Sequence, residues 1–134
     1  MSAGTVLIVD DHDVLRSLLQ SYLQERFTGL RILEATDGET AVRMATEARP
    51  SVVIMDIALP GMNGIDATRA IKDALPETTV VILTVHELAA YRNDAAAAGA
   101  DAYIPKRHMQ SRLGTALSAF LEPASAGPAQ KDGS

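Results

Sequence analysis

Residues 5–12 read Thr-Val-Leu-Ile-Val-Asp-Asp-His, an apolar run that ends in two adjacent carboxylates. Four more short runs rich in Val, Ile and Leu follow at residues 30–35, 51–56, 79–84 and 101–104. Polar residues rarely interrupt these runs, which suits strands that are buried on both faces of a sheet. The sequence therefore predicts five strands, the first of them at residues 5–10.

Segments with helical spacing separate the predicted strands. Asp37-Gly38 indicates a turn and a cap that open the second helix, residues 65–75 predict the third, and residues 87–98 predict a fourth that Gly99 closes. The first and last helices carry apolar stripes that we expect to face the core. These stripes consist of Val14, Leu15, Leu18, Leu19, Tyr22 and Leu23 in the first helix, and of Leu113, Leu117, Phe120 and Leu121 in the last.

The order of strand then helix, repeated five times, determines the expected architecture. Short connections between parallel strands require right-handed crossovers, which place helices on both faces of the sheet. The predicted fold is α/β, a doubly wound three-layer sandwich around a parallel five-stranded sheet. Ligand sites in such folds lie at the carboxyl ends of the strands.

Length and composition indicate a single domain. The chain has 134 residues, of which 47% are hydrophobic, enough to bury one ordinary core but too few for two domains of usual size. We assign residues 1–121 to this domain. Residues 122–134 are poor in large apolar side chains, which is typical of a linker or a disordered tail.

Composition also excludes several classes of function. The chain has no cysteine, which rules out disulfide scaffolds, thiolate zinc sites and cysteine nucleophiles. A net charge of -5, without a cluster of Lys and Arg, argues against direct nucleic-acid binding. Because the sequence has neither a signal peptide nor a stretch of roughly 20 apolar residues, we expect a cytoplasmic protein without membrane contact.

Three aspartates mark the predicted site. Asp10 and Asp11 end the first strand and Asp56 ends the third. In a doubly wound sheet we expect these two strands to be neighbours, with axes about 4.8 Å apart. Like charges that close must be protonated or neutralised by a cation. Carboxylates without Cys or His ligands favour a hard ion such as Mg²⁺. Each aspartate taken alone is as well explained as a helix cap, but the three together favour a metal site.

Asp56 is the candidate nucleophile. A carboxylate can attack phosphorus and form an acyl phosphate, and Asp56 stands alone at its strand end, before the loop Pro60-Gly61-Met62-Asn63-Gly64. Thr84 ends the fourth strand with a hydroxyl, and Lys106 follows the fifth with a cation suited to phosphate. The strands expected to border the site thus each contribute at least one polar group.

These segments together resemble the receiver domains of two-component response regulators, over roughly residues 5–121. The resemblance rests on Leu-Ile-Val-Asp10-Asp11-His, on Met-Asp56 with its Pro-Gly-Met-Asn-Gly loop, on Leu-Thr84 and on Lys106. It implies a flavodoxin-like (βα)5 fold with strand order 2-1-3-4-5. It also implies that a sensor histidine kinase phosphorylates Asp56.

The resemblance further implies a metal site and a switch. Mg²⁺ (or Mn²⁺) would be held by Asp11, Asp56 and the backbone carbonyl of Ala58, with Asp10 acting mainly through water. Lys106 would pair with the phosphoryl group, Thr84 would move to hydrogen-bond it, and Tyr103 would turn inward. The surface of the fourth helix, fifth strand and fifth helix would change as a result. Such a domain is a switch rather than a turnover enzyme, and whether it forms a homodimer on phosphorylation stays open.

The loop after Asp56 and the segment Ala-Gly-Ala-Asp-Ala-Tyr103 are most similar to receivers that precede LuxR-type helix-turn-helix domains. This similarity implies control of transcription through a DNA-binding domain. Residues 122–134 are too few to hold one. The sequence therefore represents either a single-domain regulator or an excised receiver with its linker, and we favour the second.

Two positions depart from the family pattern. Many receivers follow the site lysine with a proline in a cis bond, whereas Pro105 precedes Lys106 here and Arg107 follows it. Val85 follows Thr84 where many relatives carry a small residue, which predicts slower phosphorylation or a longer phosphate lifetime. His86 is interpreted as an exposed or capping residue at a helix start.

Three alternative functions would need other residues, or fewer of these. Haloacid-dehalogenase-like phosphatases need a second aspartate two positions after the nucleophile, where this chain has Ala58. A flavin-binding module, which shares the architecture, would need a Ser- and Thr-rich phosphate loop after the first strand. A non-phosphorylated pseudo-receiver that acts as a docking module stays as the alternative.

Overall fold

The computed structural model of the chain describes residues 4–121, so the predicted linker at residues 122–134 lies outside the described range. Five strands alternate with helices, as predicted. The strands are β1 (Thr5–Val9), β2 (Arg31–Ala35), β3 (Val52–Met55), β4 (Thr79–Thr84) and β5 (Ala102–Pro105). The helices are α1 (Asp13–Arg26), α2 (Gly38–Ala48), α3 (Gly64–Ala74), α4 (Ala89–Ala97) and α5 (Gly114–Leu117).

The strands form one parallel sheet in the order β2-β1-β3-β4-β5. One face of the sheet packs against α1 and the last helical segment, through side chains such as Leu19, Leu23 and Leu117. The other face packs against α2, α3 and α4, through side chains such as Ala45 and Ile71. The three-layer doubly wound fold and the strand order are therefore confirmed.

Burial on both faces holds for the central strands and not for the edge. All residues of β3 and β4 are buried, as are residues 6–9 of β1. In β2, by contrast, Arg31 and Glu34 are exposed and only Ala35 is buried. The prediction that β2 is fully buried was wrong, because β2 is an edge strand and has a neighbour on one side only.

The core-facing stripes are narrower than predicted. In α1, Leu19, Tyr22 and Leu23 are buried, whereas Val14 and Leu18 are exposed. In the last helical segment, Phe120 is also exposed. A helix that covers one face of a sheet turns only part of its circumference inward, so the outer apolar residues of each stripe stay in solvent.

The last helical segment is irregular. It begins as a 3₁₀ turn at Lys106–His108, continues as a π-helix at Met109–Leu113, and becomes α-helical only at Gly114. The amide of Gly114 donates a hydrogen bond to the hydroxyl of Tyr22 at 3.0 Å. This contact fixes the start of α5 against α1. Across residues 4–121, no helix has the length and apolarity that crossing a bilayer requires.

Helix caps near the site follow from local sequence. Asp37 caps α2, because its carboxylate accepts a hydrogen bond from the amide of Thr40 at 2.8 Å. Asn63 caps α3 by accepting from the amide of Asp66 at 2.9 Å. The amide of Met62 also donates to Glu39 at 3.3 Å. These contacts anchor the loop between β3 and α3 on the first turn of α2.

Candidate functional site

The register of the sheet brings the predicted site residues to one edge. Val9 pairs with Met55, so Asp10 and Asp56 leave their strands side by side. Thr84 pairs with Pro105, which places Lys106 one residue beyond the end of β5. Asp10 and Asp56 are only 2% and 3% exposed, and Thr84 is fully buried. The residues that follow β1, β3 and β5 and the last residue of β4 therefore lie together at one edge of the sheet.

The acidic cluster has the geometry of a cation site. One ligand atom from each of Asp10, Asp11, His12 and Asp56 lies within 4.8 Å of the others. The three aspartates are those that the sequence predicted as metal ligands. They supply hard oxygen donors, which is the chemistry that Mg²⁺ needs, so the residues fit this ion. The sequence interpretation did not include His12, whose ring nitrogen Nδ1 lies 3.0 Å from Oδ1 of Asp10.

The fourth predicted ligand is the carbonyl of Ala58. Ala58 lies in the loop after β3, two residues beyond Asp56. Its amide donates a hydrogen bond to Oδ1 of Asp56 at 3.4 Å. This contact places the Ala58 backbone beside the Asp56 carboxylate. The metal-ligating role of the Ala58 carbonyl stays a prediction.

Lys106 neutralises part of the negative charge in the pocket. Its ammonium nitrogen lies 2.9 Å from Oδ2 of Asp10 and 3.2 Å from Oδ2 of Asp56. Burial lowers the pKa of Lys106, but the hydrogen bond to Asp10 and the charges of Asp56 and Asp10 raise this pKa by more, so the net shift is upward from 10.5. The lysine is therefore a firmly charged cation between two carboxylates.

Thr84 and Tyr103 both contact the backbone of His86. The hydroxyl oxygen of Thr84 accepts a hydrogen bond from the amide of His86 at 3.3 Å. The hydroxyl of Tyr103 donates to the carbonyl of His86 at 2.8 Å. Tyr103 is therefore already turned toward the loop after β4 in the unmodified chain, with the guanidinium of Arg92 4.6 Å from the centre of its ring.

His86 contributes to the site through its main chain, which no side-chain pattern could have indicated. Its imidazole packs beside Tyr91, with the ring centroids 5.0 Å apart, and is half-buried. The interpretation of His86 as an exposed or capping residue was wrong, because its side chain is half-buried and Leu88 is the N-cap of α4. The backbone contacts nevertheless make His86 the residue that joins Thr84 to Tyr103.

Arg107, which follows Lys106 where many receivers have proline, forms an ion pair with Glu87. Its Nε and Nη2 donate to Oε2 and Oε1 of Glu87, both at 2.7 Å. This forked ion pair joins the loop after β5 to the loop after β4, next to Lys106 and Thr84. The hydrogen bond from Arg107 lowers the pKa of Glu87. Val85, the other departure, is exposed, and its predicted effect on phosphorylation stays a prediction.

Gly64 sets the distance between α3 and the phosphoacceptor candidate. A methyl group at Gly64 would overlap the carbonyl oxygen of Asp56. The amide of Gly64 also donates to the carbonyl of Ile57 at 2.9 Å. Only glycine lets the start of α3 approach the backbone of Asp56 this closely.

Comparisons with known proteins match most of the chain. The family model of the response regulator receiver domain matches residues 6–118. The transcriptional activator protein ExaE from Pseudomonas putida is 37% identical over 101 residues, which are 75% of this chain and 47% of that protein. The chain thus spans about half the length of this curated relative.

Solved structures share the fold. A two-component response regulator of the LuxR family from Aurantimonas sp. SI85-9A1 superposes with a TM-score of 0.81 and 34% identity, over 88% of this chain and 84% of that one. The receiver domain of the sensor histidine kinase PA1611 from Pseudomonas aeruginosa PAO1 has a TM-score of 0.78 and 27% identity, over 89% of this chain and 98% of that one. The latter structure has a magnesium ion coordinated in its active site cleft. This chain belongs to the response regulator receiver domain family of two-component signalling.

Proposed function

We propose that this chain is a phosphorylation switch in which Asp56 accepts a phosphoryl group from a sensor histidine kinase. One observation carries the proposal: the buried carboxylate of Asp56 shares a pocket with Asp10 and Asp11 and lies 3.2 Å from the ammonium of Lys106. A nucleophile, a set of cation ligands and a fixed positive charge are thereby brought together. Positioning and charge neutralisation provide most of the catalysis of phosphoryl transfer.

Asp10, Asp11 and Asp56 would hold the metal ion, together with the carbonyl of Ala58. When bound, Mg²⁺ (or Mn²⁺) neutralises charge on the phosphoryl oxygens. The magnesium ion in the cleft of the PA1611 receiver domain supports this assignment.

In the proposed transfer, an oxygen of the Asp56 carboxylate forms a bond to phosphorus while the bond from phosphorus to the donor atom breaks. The donor is a phosphorylated imidazole of the kinase or a small acyl phosphate, and its imidazole nitrogen or carboxylate oxygen leaves with the electron pair of the broken bond. Lys106 moves from its contact with Asp56 to pair with the transferred phosphoryl group. Because the product stays attached to Asp56, the chain acts as a switch and not as a turnover enzyme.

The proposed switch passes through His86. Thr84 would exchange its contact with the His86 amide for a hydrogen bond to the phosphoryl group. Tyr103 is bonded to the carbonyl of the same residue, so displacement of this loop changes the surface formed by α4, β5 and α5. Phosphorylation would thus shift the population between two conformations.

The proposed output is control of transcription through a DNA-binding domain outside this chain. Similarity to a LuxR-family response regulator and to a transcriptional activator supports this output. We propose that residues 1–121 form the receiver and residues 122–134 a linker, in a cytoplasmic protein whose receiver contacts neither nucleic acid nor membrane. Homodimerisation on phosphorylation would be a consequence of the changed α4, β5 and α5 surface.

Intact mass after incubation with acetyl phosphate and Mg²⁺ tests the proposal. The wild type should gain one phosphoryl group, about 80 Da, and Asp56→Asn or added EDTA should abolish the gain. Asp73→Asn is the matched control, since it removes an exposed carboxylate of α3 and should leave the gain intact. Absence of an adduct on the wild type, under conditions that label a known receiver, would favour the pseudo-receiver alternative.

A further inference from the structure

The side chain of Arg16, on the first turn of α1, lies among three acceptors. Its Nη1 donates to the main-chain carbonyl of Asp10 at 2.9 Å, its Nε to Glu34 at 2.8 Å, and its Nη2 to Asp13 at 2.6 Å. The side chain is only 13% exposed, compared with 63% for Arg107. Three directed bonds from one planar guanidinium hold Arg16 in a single position.

The carbonyl that Arg16 contacts belongs to the peptide bond between Asp10 and Asp11. Other contacts orient the rest of Asp10: its amide donates to the carbonyl of Ala35 at 3.1 Å, and its Oδ1 accepts from the amide of His12 at 2.9 Å. The bond from Arg16 fixes the plane of the following peptide. It thereby fixes the direction in which the backbone presents the side chain of Asp11.

Glu34 and Asp13 hold the guanidinium in place and balance its charge. Glu34 lies on the edge strand β2, opposite Ile8 of β1. Its hydrogen bond, followed by that of Asp13, raises the pKa of Arg16 from its ordinary value. A cation flanked by two carboxylates adds little net repulsion toward a second cation nearby. The contact with Asp10 is therefore the main way in which Arg16 acts on the acidic pocket.

We propose that Arg16 is a positioning residue for the metal site, which holds the Asp10–Asp11 peptide so that both carboxylates face one divalent cation. The inference rests on the proposed function, because it concerns the same three aspartates. Groups that orient metal ligands commonly change metal affinity by about 10- to 100-fold when they are removed.

The sign of the effect separates positioning from electrostatics. If Arg16 acted only through its positive charge, its removal would strengthen the binding of Mg²⁺ to the carboxylates. If it positions the Asp10–Asp11 peptide, its removal weakens binding. A role in stability alone would lower the melting temperature and leave the Mg²⁺ affinity of the folded protein unchanged.

Calorimetric titration with Mg²⁺ alone distinguishes these outcomes. We expect the Kd of Arg16→Met to rise about tenfold or more, and that of Arg16→Lys to rise as well, since an ammonium cannot reproduce the forked contacts. Arg26→Met is the matched control: it removes a cation of the same helix that packs over the ring of Tyr22, and its Kd should equal that of the wild type. Labelling of Asp56 in Arg16→Met should need more Mg²⁺ but approach the wild-type rate at saturation.

An unchanged or lower Kd for folded Arg16→Met would overturn the inference. If this variant does not fold, Glu34→Ala replaces it, because it keeps Arg16 and removes the acceptor of its Nε. We expect a higher Kd, with a smaller rise than for Arg16→Met, and an unchanged Kd would again contradict the inference. Failure of the wild type to bind Mg²⁺ would overturn the proposed function and the inference together, whereas normal binding by both wild type and variant would overturn only the inference.

Discussion

Nζ of Lys106 lies 3.2 Å from Oδ2 of Asp56, although 50 positions separate the two residues in the chain. The same nitrogen lies 2.9 Å from Asp10, so one cation is shared by two buried carboxylates. In the unmodified chain Lys106 therefore compensates for the repulsion between Asp10 and Asp56. Its proposed contact with phosphate would follow only after it leaves this position.

Lys106→Met should destabilise the protein most strongly when metal is absent. The variant leaves two nearly buried carboxylates facing each other without their shared cation, which should lower the free energy of unfolding by about 1–3 kcal/mol. Mg²⁺ can replace the lost positive charge. Mg²⁺ should therefore raise the stability of the variant more than that of the wild type.

Urea unfolding followed by circular dichroism, in EDTA and in Mg²⁺, measures this difference. An equal gain from Mg²⁺ in the two proteins would contradict the role of Lys106 as the cation that compensates Asp10 and Asp56.

Gly64→Ala should disturb both folding and the site. The added methyl group would overlap the carbonyl of Asp56, which is backbone and cannot turn aside, so we expect a loss of about 1–3 kcal/mol in the free energy of unfolding. Labelling of Asp56 by acetyl phosphate should slow as well. Gly4→Ala is the control, because its methyl group would meet mainly the hydroxyl of Ser51, a side chain that can rotate. A Gly64→Ala variant as stable as Gly4→Ala would disprove the close approach.

Tyr103 should ionise above the ordinary tyrosine value. Burial raises the pKa of Tyr103 from 10.0, and the nearby Arg92 only partly offsets this shift. Because the folded-state pKa is the higher one, the contribution of this group to stability is complete below pH 10.0 and is lost as the pH rises through the folded-state value. High pH should therefore weaken the protein partly through Tyr103.

Titration of tyrosinate absorbance, in the wild type and in Tyr103→Phe, measures this step. The native wild type should show a tyrosinate transition above pH 10.0 that Tyr103→Phe lacks. In urea the wild-type transition should move back to about pH 10. If the transition that disappears lies at or below pH 10.0 in the native protein, the burial argument fails.

Val85→Ala should speed the labelling of Asp56, if Val85 narrows access to the site. Because the side chain is exposed and not packed into the pocket, we expect a modest change of roughly two- to threefold, measured as the rate of mass gain with acetyl phosphate. Leu88→Ala is the control, since Leu88 is an exposed apolar residue of the same loop. Equal rates for Val85→Ala and the wild type, both in labelling and in loss of the phosphoryl group, would exclude Val85 as a cause of slower phosphorylation or of a longer phosphate lifetime.

Much of the fold could be predicted from the sequence, because each element has a local signal. Apolar runs predict buried strands, Asp37 predicts the cap of α2, and strict alternation restricts the topology to a parallel doubly wound sheet. The clustering of Asp10, Asp11 and Asp56 could also be predicted. The first and third strands are neighbours in the sheet, and residues that end neighbouring parallel strands lie at one edge. The strand order 2-1-3-4-5 came from the family resemblance rather than from these local signals.

The tertiary structure decided which side chain contacts which. Exposure of Val14 and Leu18 depends on how far α1 is rotated against the sheet, and a local apolar pattern does not report that rotation. Contacts such as Lys106 with Asp10, Arg16 with the carbonyl of Asp10, and Tyr103 with the carbonyl of His86 join distant positions. The sequence by itself determined the elements, their order and the chemical groups at the strand ends, because these follow from local periodicity and chain connectivity. The partners of those groups were decided only when packing selected one orientation for each helix and one rotamer for each buried side chain.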